Sequence, residues 1–318
     1  MPEGMPTMLD LALQRNNDVQ VGLIEESILT QPEMRIFPMR QIKSTAYKTL
    51  VRTGFPIAQF RHLNEGVARS KSTFENRLTE CFILDTQIAA DKALADVWEP
   101  GGAASYQMIE AQGVMEAVMR RIGKQVYYGN SAEAVAAGHG DQKGFPGFLD
   151  AYDAANYEVD ATGTTGCTSV WGVRIGLKDV HFVSGGDTLP NVLPEWRIQT
   201  VNLDDNTAFT AYVNSLMGWI GMQVGARYSL VRIANLSEQA DKGLTDELGE
   251  QAIEKLPSGI VPDYFLCNRR SRRQLRNSRQ AVAATGGFQP NSVPMPTDLA
   301  GIPLIVTDSI INGEETFA

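Results

Sequence analysis

Histidines, cysteines and carboxylates are the residues here whose chemistry could support catalysis, and their spacing argues against it. Gly138-His139-Gly140-Asp141 puts an imidazole and a carboxylate two positions apart on a glycine-rich turn. A general base and its orienting group must face one another, side chains two apart on a tight turn diverge, and no nucleophile is implied nearby. Glu110 and Glu116, six apart on a predicted helix, point roughly 120° away from each other and make no acid–base pair. Gly185-Gly186-Asp187 is glycine-rich without a phosphate-loop context, and no G-x-S-x-G, H-E-x-x-H or G-x-x-x-x-G-K-[ST] occurs. Asp204-Asp205-Asn206 reads as a turn, with too few alternating oxygen donors for calcium. His62, His139 and His181 lack ligand spacing, and Cys81, Cys167 and Cys267 are distant and odd in number. They read as separate thiols of a reducing cytosol. No catalytic residue, cofactor or metal is expected.

The other chemistry-bearing residues are cations, in two concentrations. Arg269, Arg270, Arg272, Arg273, Arg276 and Arg279 fall within one predicted helix capped by Asn268, with Leu275 and Val282 as its anchors. Positions 269, 272, 273, 276 and, less closely, 279 share a face that suits phosphates or the carboxylates of a neighbouring subunit. Against nucleic-acid readout, the chain is acidic overall, with a net charge of −9, and no aromatic platform or helix-turn-helix pattern flanks the helix. The second concentration is Arg40, Lys43, Lys48, Arg52, Arg61, Arg69 and Lys71 between Ile36 and Thr73, against the single acid Glu65. Such polarity suggests complementary contact with copies of the same chain or with an anion.

Long elements must position these cations. Between the break at Pro100-Gly101-Gly102 and Gly129-Asn130, residues Met108, Ala111, Met115, Val118, Met119, Ile122 and Val126 recur at steps of three and four. They predict a helix over 103–128, a beam for a sheet to pack on. Residues 1–35 read as an acidic arm with short apolar pieces at Leu9, Leu11, Leu13 and at Ile24, Ile28, Leu29. Residues 36–83 read as two long strands around a polar tip at Asn64, Gly66, Ser70 and Ser72, a hairpin too polar to stand alone. A helix over 85–98 and a loop-rich connector over 131–147 flank the long helix. Strands follow in 168–176, 179–185, 195–203, 208–225 and 227–236, with Leu230, Val231 and Ile233 buried on both faces. Thr245 caps a helix to Leu256, a strand spans 263–267, and a last strand begins at Ile302. The composition, 43% hydrophobic and 20% charged over 318 residues, is that of a globular chain. Neither a membrane span nor a secretory signal is expected. The class is α+β.

The order of these pieces resembles the major capsid proteins of tailed bacteriophages with the Hong Kong 97 fold. The resemblance rests on the basic hairpin with FPIAQFRHLNEGVARSKST at its tip, the long helix, the connector YYGN…GFPGFLDAY, and YFLCNRRSRRQLR followed by a glycine-rich loop and AGIPLIVTDSI. It implies an N-terminal arm (1–35), an E-loop hairpin (36–83), a peripheral P-domain (84–150) with the spine helix, strands shared between domains (151–235) and an axial A-domain (236–318). One departure implies rearranged connectivity: AFTAYVNSLMGWIGMQVGARYSLVRIANL, similar to strands that close the family's type member, here precedes the axial motif. The implied role is a shell subunit forming pentamers and hexamers around double-stranded DNA, in the virion after assembly in the host cytoplasm. The implied partners are copies of itself, a portal, a decoration protein and a separate scaffolding protein, since the chain has no room for a fused scaffold. No lysine–asparagine crosslink is implied. Subunit contacts are expected at Arg40, Lys43, Arg61, Glu65, Arg69, Arg269, Arg272, Arg273 and Arg276. An encapsulin-like compartment, an α+β enzyme and a nucleic-acid-binding module are the alternatives.

Overall fold

The computed structural model describes residues 31–98, 101–186, 195–202, 207–285 and 293–314. The expected apolar pieces of the arm, the turn at Asp204-Asp205-Asn206, and Asp187 lie outside the described residues. The chain enters through α1 (Glu33–Ile36), β1 (Met39–Ile42), β2 (Ala46–Gly54), β3 (Thr73–Glu80), β4 (Phe82–Asp91), α2 (Lys92–Asp96) and α3 (Gly102–Tyr128). It continues as α4 (Ala132–Ala136), α5 (Phe148–Ala151), α6 (Ala154–Tyr157), β5 (Glu158–Asp160), β6 (Thr168–Val173), β7 (Val180–Gly185), β8 (Arg197–Asn202) and β9 (Ala208–Val224). The last elements are β10 (Leu230–Leu236), α7 (Asp246–Glu254), β11 (Tyr264–Cys267), α8 (Arg269–Thr285), β12 (Asp298–Leu299) and β13 (Ile302–Val306).

Helix α3 forms where its apolar stripe demands, with Ala111, Met115, Val118, Met119, Ile122 and Val126 all buried. Met108, assigned to the same stripe, is 53% exposed, because the first turns are covered by α2 and β4 on one side and stay open on the other. A five-stranded sheet in the order β1-β7-β9-β4, with β8 on the other half of β9, lies on the helix. The helix expected over 85–98 is instead strand to Asp91 and helix only over Lys92–Asp96. Ile88 and Ala90 point inward while Gln87 and Ala89 face out, a period of two. The unbroken ladder from Phe82↔Ile220 to Asp91↔Ala211 overrides the helical preference of the alanines.

A six-stranded sheet, β12-β13-β11-β6-β10-β5, builds the second layer. Strand β10 is buried at every position, matching its continuous apolar run. The stretch 208–236 is thereby divided, β9 serving the first sheet and β10 the second. Val170, Ile233, Phe265, Leu275 and Leu299 close a core with α7 and α8. Leu275 is fully buried, but Val282 is 71% exposed, since the last turns of α8 extend past that core. Both expected caps form. Thr245 Oγ1 accepts from Leu248 N at 3.3 Å, and Asn268 Oδ1 from Ser271 N at 2.8 Å.

The connector after α3 is folded back on the helix that precedes it. Gln125 Nε2 donates to Asp141 O (3.1 Å) and Phe145 O (2.8 Å), while its Oε1 accepts from Asp141 N at 3.1 Å. Backbone crosses backbone here, and a Cβ on Gly147 would lie 2.5 Å from Gly129 N. Gly129 also has φ +62°, so glycine is required at this crossing. Asp150 Oδ2 accepts from Gly147 N (2.8 Å) and Asn130 N (2.9 Å). The YYGN…GFPGFLDAY pattern is therefore scaffold rather than reactive chemistry.

Candidate assembly surfaces

Strands β2 and β3 pair from Ala46↔Glu80 to Gly54↔Thr73 and form a separate two-stranded sheet. The hairpin expected over 36–83 is confined to Ala46–Glu80, because β1 pairs with β7 and β4 with β9 in the five-stranded sheet, and it is less polar than its charges imply. Opposed residues of an antiparallel pair share a face, so Lys48↔Leu78, Leu50↔Asn76 and Arg52↔Phe74 put apolar and basic side chains together on one side. Leu50, Phe74 and Leu78 are exposed there, and at the tip Phe55, Ile57, Phe60 and Leu63 are exposed too, Phe60 and Leu63 almost completely. Arg52 lies over both the Phe55 and Phe74 rings, 5.6 and 5.3 Å from their centroids. So much exposed apolar surface on one hairpin is unusual for an isolated subunit. Charge counting missed it, although the phenylalanines and leucines stand plainly in the sequence.

The hairpin cations predicted as contacts divide into two groups, separated by about 30 Å of strand at 3.3 Å per residue. At the root, Arg40 is exposed over the Tyr47 ring, 5.1 Å from its centroid, and Lys43 is exposed in the turn before β2. At the tip, Arg61 Nη1 donates to Glu65 O at 2.9 Å and Glu65 Oε2 accepts from His62 N at 3.1 Å. Arg61 and Glu65 thus shape the tip itself. Arg69 is exposed beside them. Among the described residues none of the seven basic side chains between Ile36 and Thr73 forms an ion pair with a carboxylate of its own chain.

The arginines of α8 are spent within the subunit. Arg269 pairs with Asp308 at 3.0 Å and Arg273 with Glu238. Arg272 Nε donates to Pro296 O (2.9 Å) and Arg276 Nε to Val293 O (2.8 Å), holding the loop before β12. Arg270 Nη2 donates to Leu236 O at 3.2 Å. Arg279 reaches Asp246 through Nε (2.8 Å) and Nη2 (2.7 Å) and also pairs with Asp298 at 3.2 Å. Hydrogen bonds from Arg279 hold the Asp246 carboxyl below its usual range.

A groove of about 470 Å³ runs beside the hairpin root, where Glu75 and Glu80 of β3, Asp150, Phe82, Pro146 and Met222 line it. Its lining mixes three carboxylates with apolar side chains. Arg77, also on its wall, is committed to Val224 O (3.2 Å) and Gly225 O (3.1 Å).

The imidazole and carboxylate of Gly138-His139-Gly140-Asp141 face different partners. Asp141 bonds Arg121 at 2.6 Å, while the His139 ring packs against Tyr128 at 5.4 Å. Burial pushes the Cys81 thiol up to about 11 and Cys267 up to about 12, leaving both protonated and inert near neutrality. No group of histidine, cysteine and acidic side chains able to hold a metal converges among the described residues. No helix there is long and apolar enough to cross a membrane. Sequence reasoning also missed Arg232, which is 1% exposed and bonds Tyr152 Oη (3.1 Å), Glu158 Oε2 (3.2 Å) and Glu314 Oε2 (3.3 Å). Glu314 in turn accepts from Tyr128 Oη at 2.8 Å and Ser169 Oγ at 2.9 Å. An arginine inside an apolar β-run was the available signal, since such a residue requires carboxylates.

A family model described as major capsid protein GP7 matches residues 32–318. No curated protein matches the sequence. Among solved structures, the chain is similar to one from bacteriophage Epsilon15, at 18% identity and a TM-score of 0.62, covering 99% of this chain and 98% of that one. It is also similar to a chain of the bacteriophage JBD30 capsid, at 6% identity and a TM-score of 0.49 over 88% and 91% of the two chains. A third similarity is to the holo-SrpI encapsulin complex from Synechococcus elongatus PCC 7942, at 8% identity and 0.42 over 64% and 87%. At these identities the Epsilon15 likeness shows the fold alone, the Hong Kong 97-like α+β fold expected from the sequence.

Proposed function

We infer the mode of assembly from one premise: the chain belongs to the major capsid protein GP7 family, and it is a coat subunit of a bacteriophage virion. Its copies close into pentamers and hexamers of an icosahedral shell by a head-to-tail contact. The hairpin of one subunit lies on the next, and its tip seats against the acidic groove at the neighbouring hairpin's root. A contact that joins two different patches generates rings when its rotation closes, which is what a shell of repeated chains requires. The observation that carries this reading is the hairpin face itself, apolar and basic together, exposed, and without ion pairs to its own subunit among the described residues. The carboxylates of Glu75, Glu80 and Asp150 in the groove support the choice of acceptor.

The five-stranded sheet with α3 corresponds in this reading to the peripheral domain, and the six-stranded sheet with α7 and α8 to the axial one. The arm is taken as 1–35, the hairpin as 36–83, and the remaining divisions as 84–150, 151–235 and 236–318. A scaffolding protein, a portal and a decoration protein are the partners such a shell would take, and the enclosed double-stranded DNA is held without sequence-specific contact. A net charge of −9 suits a wall that does not grip packaged phosphates. Its work is assembly rather than catalysis.

The test is charge reversal of Arg40, Lys43, Arg61 and Arg69 to glutamate in the full chain, followed by electron microscopy and thermal melting. The expected result is a folded subunit with an unchanged melting profile that forms no shells. Normal shells from the reversed protein would sink the proposed contact.

A further inference from the structure

The hairpin is joined to the body at a hinge built around a buried histidine. Two glycines let the chain cross there. A Cβ on Gly221 of β9 would lie 2.4 Å from Glu80 O, and one on Gly185 of β7 would lie 3.1 Å from Cys81 Cβ. Over this crossing, Tyr47 Oη of β2 meets His181 Nε2 of β7 at 3.1 Å, and His181 Nδ1 meets Gly176 O at 3.2 Å. A carbonyl can only accept, so the ring proton sits on Nδ1 and Nε2 accepts from the tyrosine hydroxyl. The imidazole is wholly buried and bonded in its neutral form at both nitrogens.

We propose that His181 makes the hairpin an acid-released element: protonation of its imidazole undocks β2–β3 from β7 and β9. A proton taken from solvent onto Nε2 turns the acceptor into a donor, so the Tyr47 hydroxyl loses the acceptor it donates to and must reverse its role, and a cation is left inside the hinge. The surroundings offer that cation little compensation. Arg40 of β1 and Arg77 of β3 are themselves positive, Lys48 lies on the other face of the hairpin, and Gln223 opposes His181 on β9. Thr79 and the Cys81 thiol are neutral. Of the carboxylates on the packed elements, Asp179 is engaged with Ser229 Oγ at 2.8 Å and Arg174 at 3.7 Å, and Glu75 and Glu80 are exposed beyond Thr79. Lys178 in the same loop adds a further positive charge.

Burial is the main reason His181 is held down to about 4 from an ordinary 6.5. The sign follows from a depressed folded-state value. Docking is at full strength above pH 6.5, weakens as pH falls toward 4, and changes no further below it. The gap caps the change in the docked-to-undocked ratio at about a few hundred-fold.

Cysteines introduced as Lys71→Cys near the hairpin tip and Lys178→Cys on the body would carry spin labels on the full chain, the native thiols being buried. Dipolar distances would then be read from pH 7.5 to pH 4. We expect one narrow distance at pH 7.5 that spreads over the interval from 6.5 to 4. His181→Gln should stay narrow throughout, and Tyr47→Phe should already be spread at pH 7.5. A wild-type distance unchanged down to pH 4 overturns the proposal, as does a His181→Gln protein that spreads in step with wild type. Should either variant fail to fold, the other still decides. The coat-protein reading does not depend on this outcome, because normal shells can form with a hinge that ignores pH.

Discussion

Helix α8 and the β2–β3 hairpin are alike in the sequence, with six arginines over 269–279 and seven basic residues over 36–73, and opposite in the structure. The α8 guanidiniums bond Asp308, Glu238, Asp246, Asp298 and loop carbonyls of their own subunit, Arg269 and Arg273 while staying largely exposed. The hairpin cations stand among exposed phenylalanine and leucine side chains, and the described residues show no intramolecular carboxylate partner for them. Two runs of similar cation number thus meet different surroundings, acids and carbonyls of the same subunit in the first case and exposed apolar side chains in the second. What separates them is the supply of acids nearby. Asp246, Asp298 and Asp308 come from segments that the six-stranded sheet brings beside α8, whereas among the described residues no carboxylate pairs with a hairpin cation.

The largest effect that would sharpen this contrast is apolar. Phe60→Asp with Leu63→Asp should leave folding intact, since both side chains are almost fully exposed, and should raise the concentration needed for shell formation at least about 100-fold. Burying two such side chains is worth about 3 kcal/mol or more, and about 1.4 kcal/mol is tenfold. Light scattering against concentration measures it. An unchanged threshold would mean that the hairpin tip is no contact.

The mirror experiment targets α8. Arg279→Ala should destabilise the folded subunit by about 1–2 kcal/mol in urea, the usual range for a charge-assisted pair discounted for an arginine 26% exposed. Its acid profile should change as well. Asp246 titrates below its usual 3.8 because of Arg279, so that stabilisation is present above 3.8 and is lost as pH falls through the lower folded-state value. The variant should lose less stability than wild type over that acid range. A variant that melts normally but fails to assemble would place Arg279 in the contact class and break the comparison.

The smallest expected effect is at Arg276, whose Nε donates to Val293 O. Arg276→Ala should cost about 0.5–1.5 kcal/mol in a urea melt, one hydrogen bond's worth, with assembly unaltered.

The long helix, the hairpin, both helix caps and the buried β10 were legible in the sequence because each is dictated by local periodicity or by a capping side chain. Residues 85–91 were not. Their alanines favour helix locally, and only the pairing with β9, more than a hundred residues away, makes them strand. The candidate contact was half legible. The cations of the hairpin were visible as a charge run, but the pairing register that puts Leu50, Phe74 and Leu78 on the same face as Lys48 and Arg52 exists only once β2 and β3 are aligned.

By itself, the sequence determined the α+β class, the beam of α3 with its stop at Gly129, and the segregation of charge, since these depend on residues close in the chain. Tertiary structure alone decided which arginines are satisfied, that Arg232 is balanced by Glu158 and Glu314, and that His181 sits neutral beneath Tyr47. The physical reason is common to all three. A charged or titratable group takes its role from the acceptors and the solvent around it, and in these cases those come from elements 39 to 134 residues away: Asp308 is 39 from Arg269, Glu314 is 82 from Arg232, and Tyr47 is 134 from His181.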